Sequence, residues 1–162
     1  MNEGIIQIYY GEGHGKSTAA IGNAIRCASE GKSVIIIQFL KGKNENELAF
    51  LNRLEPEIKI FRFAKSDESF EELSEQEQQE EAMNLRNGFN YGKKVVTTAA
   101  CDMLILDEVL GVIDEKVVAP QEMQELFENK PDDMTLICTG RVLEDSIRPY
   151  ADEIYNIAPE KI

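Results

Sequence analysis

The chain has 162 residues, 43% of them hydrophobic, and a formal net charge of −13. This length suits one domain with a full core, so we expect residues 1–162 to form a single domain. The acidity excludes nonspecific nucleic-acid binding, because no basic stripe is available to replace phosphate counterions. No apolar run approaches membrane-spanning length, so a membrane partner is not expected either.

The cysteines and the N-terminus predict a cytoplasmic protein. Cys27, Cys101 and Cys138 are odd in number, far apart and without a CxxC pair. A disulfide framework or a zinc site is therefore disfavoured, and reduced, buried thiols are expected. The first residues show no basic segment followed by a long apolar one, so no secretion signal is predicted.

The opening of the chain has the layout of a phosphate-binding loop. Residues 5–10 form an apolar run that predicts the first strand, and the next eight residues read GEGHGKST. A helical pattern covers residues 17–30, and Gly31 is a good helix stop. Strand, glycine-rich turn, Lys-Ser and helix in this order are typical of a phosphate-binding loop. The alternative is a glycine-rich turn that only happens to precede a helix.

The residue types in this loop suit phosphate chemistry. Glycines allow the backbone to curl with its N–H groups pointing inward, and the following helix adds the positive end of its dipole. Lys16 supplies a full charge to the outer phosphates, and the Ser17 hydroxyl is suited to ligate Mg²⁺. The pattern departs from the general motif, because Tyr10 stands where the first glycine would be. The loop glycines fall at alternate positions, Gly11, Gly13 and Gly15.

Strands and helices continue to alternate after the first helix. Residues 33–39 are almost continuously apolar, as expected for a strand covered on both faces. A loop at residues 41–44, a short helix at residues 45–54 and a third strand at residues 58–63 are predicted next.

The segment at residues 67–81 contains eight acidic residues and no basic one. Disorder is one interpretation. The apolar positions and the abundant Glu and Gln favour instead a long helix at residues 70–100 with a solvated acidic face. Gly88 and Gly92 lie inside this pattern and predict a weak point in the helix.

The last third of the chain completes an α/β pattern. It predicts a fourth strand at residues 103–106, a helix after Pro120, a fifth strand at residues 134–139, a short helix before Pro149 and a last strand at residues 151–157. This alternation predicts a P-loop NTPase-like open, mostly parallel sheet with helices on both faces.

Chemically suggestive residues follow three of these strands, at the edge where such sheets bind ligands. The first strand leads into the phosphate loop, the fourth into Asp107 and Glu108, and the fifth into Thr139, Gly140 and Arg141. An acid after a buried strand next to such a loop is the Walker-B arrangement, which helps to hold Mg²⁺. The alternative is an ordinary acidic strand end.

Two further side chains are candidates for this site. Arg141 has a planar fork that matches a phosphate, although a surface arginine after a glycine turn is the alternative. His14 is the only histidine, and we interpret it as a loop side chain near the nucleotide, because no nucleophile pairs with it. These residues predict binding of a nucleoside triphosphate with Mg²⁺. They do not indicate which reaction the bound nucleotide undergoes.

The details resemble one family. The loop from Gly11 to Ala20, without its early glycine, is similar to that of the P-loop corrinoid adenosyltransferases of the CobO/BtuR type. Further similar blocks are Gly31-Lys32, Gln38-Phe39-Leu40-Lys41-Gly42, Leu104-Ile105-Leu106-Asp107-Glu108, Thr139-Gly140-Arg141 and Tyr150-Ala151-Asp152-Glu153-Ile154. The resemblance covers nearly the whole chain in the same order.

The resemblance implies an enzyme that moves the 5′-deoxyadenosyl group of ATP onto the cobalt of a reduced cob(I) corrinoid and releases triphosphate. Lys16 and Arg141 would be catalytic, and the metal would be Mg²⁺, with Mn²⁺ as an alternative, held by Ser17, Asp107 and Glu108. Phe39 and Phe70 would face the corrinoid, Phe70 in place of the family's aromatic pair. The implied ATP-binding residues are Gly11, Gly13, His14, Gly15, Lys16, Ser17, Thr18, Gln38, Lys41 and Arg141.

The family also implies a homodimer and a flavoprotein reductase partner that supplies cobalt(I). Two other readings stay open on the residues alone. One is another small P-loop kinase or ATPase, with Glu108 as its base. The other is a non-enzymatic nucleotide-dependent switch whose acidic helix docks on a partner.

Overall fold

The computed structural model describes residues 3–40, 50–66 and 68–162, and its centre is a six-stranded parallel sheet. The strands are β1 (Ile6–Tyr10), β2 (Val34–Gln38), β3 (Ile58–Arg62), β4 (Met103–Asp107), β5 (Thr135–Gly140) and β6 (Glu153–Asn156). The α-helices with both ends among the described residues are α1 (Lys16–Ser29), α2 (Glu75–Thr97), α3 (Val109–Asp114) and α4 (Pro120–Glu128). Short 3₁₀ turns cover Asn52–Leu54, Phe70–Glu72 and Asp145–Tyr150.

The sheet has the strand order β3-β2-β4-β5-β1-β6, and every pair is parallel. All residues of β2 and β4 are buried, as their apolar sequences predict for strands covered on both faces. Helix α1 packs on one face around Ala20 and Ala24, and helices α2 to α4 cover the other. The predicted α/β architecture is confirmed.

The strand order decides where the loops meet. Strands β4, β5 and β1 are neighbours in the sheet, although they are far apart in the sequence. Because all three are parallel, the loops after their carboxyl ends lie at the same edge. The phosphate loop, Asp107 with Glu108, and Arg141 are therefore brought together.

The long helix begins later than the sequence predicts. Ser74 caps helix α2, and the Phe70–Glu72 turn is a separate 3₁₀ element. The Ser74 hydroxyl accepts from the backbone N–H of Glu77 at 3.2 Å, and the Glu77 carboxylate accepts from the N–H of Ser74 at 3.3 Å. This capping box satisfies two N–H groups at the helix start, so the helix begins at Glu75 and ends at Thr97 rather than at residues 70 and 100.

Gly88 and Gly92 do not interrupt helix α2. A Cβ atom at position 88 would lie only 3.0 Å from the ring of Phe63 and 3.1 Å from that of Phe39. The missing side chain lets the helix approach these rings closely, which offsets the conformational cost of glycine. The predicted weak point is therefore a packing site.

Other predicted elements have mixed outcomes. Helix α3 was not predicted; it starts directly after Glu108, and four of its six residues are buried. In the predicted helix at residues 45–54, positions 45–49 lie outside the described residues, and Asn52–Leu54 is a 3₁₀ turn. The three cysteines are buried and free, as expected. Among the described helices, none has the length and apolarity to cross a bilayer.

Candidate active site

The glycine-rich loop follows β1 and packs against the end of β6. Gly11 has a φ of 126°, and Gly15 a φ of 104°, a left-handed conformation that favours glycine. The N–H of Gly13 donates to the carbonyl of Ile157 at 2.8 Å. A Cβ atom on Gly11 would lie 2.3 Å from that same carbonyl oxygen. The alternating glycines therefore let the loop lie against the last strand.

Lys16 begins helix α1 and folds back over the loop. Its side chain is buried, with only 9% of the residue exposed, and its Nζ donates to the carbonyl of Gly13 at 2.7 Å. The helix has no side-chain cap and no acidic residue in its first turn. Its N-terminal N–H groups and its dipole are thus left to act on an anion, together with the ammonium group.

A chain of hydrogen bonds joins helix α1 to strands β4 and β5. The Ser17 hydroxyl donates to Oδ1 of Asp107 at 2.7 Å. Thr139 is fully buried; its hydroxyl donates to the same Oδ1 at 2.8 Å and accepts from the N–H of Glu108 at 2.8 Å. Glu108 has a positive φ of 66°, so this bond holds a backbone conformation that is unfavourable for glutamate.

Sequence reasoning placed Thr139 at the ligand-binding edge of the sheet but assigned it no specific role in the site. The available signal was a threonine near the end of a buried apolar strand, directly before Gly140 and Arg141. A buried hydroxyl requires partners, and the fold provides them from β4.

Arg141 follows β5 and pairs with Glu12 of the loop. Its Nη2 and Nε atoms both donate to Oε2 of Glu12, at 2.8 and 3.2 Å. Both side chains are more than half exposed. The bond to Glu12 raises the pKa of Arg141 above its ordinary value, so the guanidinium stays charged.

These residues enclose one cleft of about 550 Å³. The predicted phosphate loop, Glu108 and Arg141 all line this cleft, although they are far apart in the sequence. The lining residues are Glu12, Gly13, His14, Gly15, Lys16, Ser17, Thr18, Glu108 and Arg141.

A second pocket, of about 340 Å³, opens beside this cleft. We call it the side pocket. It shares Glu12, Glu108 and Arg141 with the cleft, and the partly buried Phe70 forms part of its wall. Its other lining residues are Leu40, Ser69, Glu71, Gly111, Asp114, Glu115 and Val142.

Two predicted site residues line neither the cleft nor the side pocket, and a third is outside the described residues. Phe39 is fully buried in the core, against Gly88, and its contact with the corrinoid stays a prediction. Gln38 is buried at the end of β2, in register with Asp107, and does not line the cleft. Its role in ATP binding stays a prediction. Lys41 lies outside the described residues.

The donor set suits a hard divalent cation. A hydroxyl, Ser17, and two carboxylates, Asp107 and Glu108, are oxygen ligands of the kind that Mg²⁺ prefers. Within residues 3–40, 50–66 and 68–162, no group of three or more His, Cys, Asp or Glu forms a closed cage. A cation that completes its coordination with phosphate oxygens and water fits such an open set.

The fold and the cleft define a P-loop nucleotide-binding protein. The solved KaiC-like protein from Pyrococcus horikoshii OT3 shares the fold, with a TM-score of 0.64 and 18% identity; the match covers 100% of this chain and 76% of that one. The family described as ATP:corrinoid adenosyltransferase BtuR/CobO/CobP matches residues 2–162. The chain belongs to this family.

Curated relatives agree with the family match. The corrinoid adenosyltransferase of Escherichia coli K12 is 29% identical over 158 residues, which is 98% of this chain and 78% of the relative. Corrinoid adenosyltransferase CobA of Salmonella typhimurium is 30% identical over the same shares. The resemblance seen in the sequence is confirmed, and the protein is a transferase that uses ATP to adenosylate corrinoids. The family match therefore does not support the two alternatives, a P-loop kinase or ATPase and a non-enzymatic switch.

Proposed function

We propose that the cleft transfers the 5′-deoxyadenosyl group of ATP to the cobalt of a cob(I) corrinoid, and that triphosphate leaves as one unit. The observation that carries this proposal is the convergence of three positive groups on one cleft: the Lys16 ammonium, the open N-terminus of helix α1 and the Arg141 guanidinium. Positive groups that are held in place stabilise charge that develops on a leaving group.

The bond changes require no general base. A bond forms between cobalt and C5′ of the ribose, and the C5′–O5′ bond breaks. The cobalt(I) electron pair becomes the new bond, and the pair of the broken bond leaves on the triphosphate oxygen. Cobalt(I) has no proton to lose, so the residues have to align the two centres and stabilise the departing charge.

Each residue in the cleft has a proposed task in this step. The loop amides, from Gly11 to Thr18, hold the phosphates, with His14 beside them at the exposed side of the loop. Ser17 and Glu108, with Asp107 next to them, would hold Mg²⁺, or Mn²⁺ in its place. This cation supplies further positive charge to the triphosphate when it is bound.

The side pocket supports a position for the corrinoid. Cobalt has to reach C5′, so the corrinoid has to lie next to the phosphate cleft, and the side pocket shares three lining residues with that cleft. Phe70 offers an aromatic surface there. Family resemblance supports a homodimer, a flavoprotein reductase partner and a cytoplasmic location, and we regard residues 1–162 as one P-loop domain.

The proposed reaction is tested by anaerobic incubation with ATP, Mg²⁺ and chemically reduced cobalamin. We expect the cob(I) absorption spectrum to convert to that of adenosylcobalamin at a rate proportional to enzyme. Omission of Mg²⁺ should slow the conversion strongly, and Mn²⁺ should restore part of it. Conversion that is independent of ATP would contradict the proposal.

Replacement of Phe70 by alanine should weaken corrinoid use more than ATP use. The variant loses the aromatic wall of the side pocket, so we expect KM for the corrinoid to rise about tenfold and KM for ATP to change less than twofold. Steady-state kinetics with each substrate varied in turn measure both. Ile25→Ala, an exposed residue on helix α1, is the control. Equal effects on both substrates, or none, would remove Phe70 from the site.

Replacement of Glu12 by glutamine should tighten ATP binding. In the described structure Arg141 is engaged by Glu12 rather than by a phosphate. Loss of the carboxylate frees the guanidinium, and because the pair is exposed we expect only about a threefold fall in KM for ATP.

The matched control for this change is Glu30→Gln, which breaks an exposed pair with Lys32 at 3.8 Å outside the cleft. It should leave KM for ATP unchanged. A rise in KM for the Glu12 variant would show that Glu12 supports the bound nucleotide instead of competing with it.

A further inference from the structure

The side pocket has a strongly acidic lining. Among the residues that the structure describes, five carboxylates and one guanidinium surround its volume of about 340 Å³. Glu12 is paired with Arg141, and Glu108 belongs to the proposed metal site. Three carboxylates therefore remain to face a ligand in the side pocket: Glu71, Asp114 and Glu115.

These three carboxylates come from two separate elements that converge on the pocket. Glu71 lies in the 3₁₀ turn beside Phe70, and Asp114 and Glu115 lie at the C-terminal end of helix α3. None of them forms an ion pair with any residue of the described ranges. Burial first, and then the charges of Glu71 and Asp114, raise the pKa of Glu115, which indicates that both neighbouring charges act on the Glu115 carboxyl group.

Apart from Ser69 and Gly111, the rest of the wall is apolar. Leu40, Phe70 and Val142 line the same pocket, and Val142 is 56% exposed. The pocket thus combines an apolar surface with hydrogen-bond acceptors that carry negative charge. Such a surface suits a ligand with a broad apolar face and N–H donors at its edge, and it repels one with carboxylates at that edge.

A corrin ring has an apolar face and a periphery of short side chains that end either in carboxylic acids or in amides. We propose that the side pocket selects corrinoids whose peripheral acids are amidated, and that Glu71, Asp114 and Glu115 determine this specificity. Amides donate N–H groups to the three carboxylates, whereas a carboxylate-bearing corrinoid meets like charge. This inference rests on the proposed position of the corrinoid in the side pocket.

The test compares two corrinoids that both lack the nucleotide loop: cobinamide, with an amidated periphery, and cobyrinic acid a,c-diamide, which keeps free carboxylates. We expect wild-type kcat/KM to be about tenfold or more higher for reduced cobinamide, and this ratio to shrink as salt is raised. The double variant Glu71→Gln, Glu115→Gln should raise kcat/KM for the carboxylate form about tenfold and leave KM for ATP within twofold.

The control is Glu57→Gln, which removes one exposed charge immediately before strand β3, outside the side pocket. It should leave the ratio between the two corrinoids unchanged. Equal use of both corrinoids by the wild type, or an unchanged ratio in the double variant, would overturn the inference. Absence of adenosylation with cobinamide and cobalamin alike would instead contradict the proposed function itself.

Discussion

Lys16→Ala is expected to lower kcat/KM for ATP by about a thousandfold or more, because the variant loses the buried ammonium proposed to stabilise the departing triphosphate. Lys16 lies at the start of helix α1 with its Nζ 2.7 Å from the carbonyl of Gly13, inside the loop proposed to hold the phosphates. The effect should appear in kcat as well as in KM, since the charge on the leaving group grows as the bond breaks.

The control for this variant is Lys32→Ala, a half-exposed lysine outside the cleft. It should keep wild-type kinetics. Thermal unfolding of the Lys16 variant should show an intact fold. Loss of activity can then be attributed to the missing ammonium group and not to unfolding. Turnover within tenfold of the wild type would contradict the assignment of Lys16 as a catalytic residue.

Thr139→Val is expected to lower kcat about thirtyfold to a hundredfold and to raise the Mg²⁺ concentration needed for half-maximal rate. Valine keeps the volume of the side chain, but the Asp107 carboxylate loses a donor and the N–H of Glu108 loses its acceptor. The loss of one hydrogen bond to a buried polar group costs about 1–3 kcal/mol, although Asp107 keeps its bond from the Ser17 hydroxyl. Glu108 also loses the bond that holds its left-handed backbone.

A serine at the same position separates positioning from packing. Thr139→Ser keeps the hydroxyl and removes one methyl group, so it should retain most of the activity and the wild-type Mg²⁺ requirement. The measurement is a Mg²⁺ titration of the initial rate for both variants. A normal titration for the valine variant, or equal damage in both, would show that Thr139 does not position the two acids.

The parts of the site that depend on local sequence were predictable. A phosphate loop needs glycines, Lys16 and Ser17 in one short stretch between a strand and a helix, and all of them are consecutive in the chain. The acids after β4 were predictable for the same reason, because a buried strand is recognised by its apolar run. These local signals also gave the α/β class.

The remaining parts depend on contacts between distant segments. The bridge from Thr139 to Asp107 spans 32 positions, and the pair of Arg141 with Glu12 spans 129. Neither contact could be predicted from the spacing of residues along the sequence. Phe39 was assigned to the corrinoid because a similar block contains it, yet its side chain is fully buried against Gly88 of helix α2. That contact depends on a helix much later in the chain, so the block itself carries no signal for it.

The most direct test of the central claim follows the fate of the phosphates. ATP radiolabelled on its γ-phosphate is reacted with one equivalent of enzyme and reduced cobalamin under anaerobic conditions, and the products are separated by anion exchange. If the loop binds the three phosphates and they leave together, all of the radiolabel released at early times appears in triphosphate. The amount of labelled triphosphate then equals the amount of adenosylcobalamin formed. Label that appears first in orthophosphate, with ADP as the other product, would contradict the account.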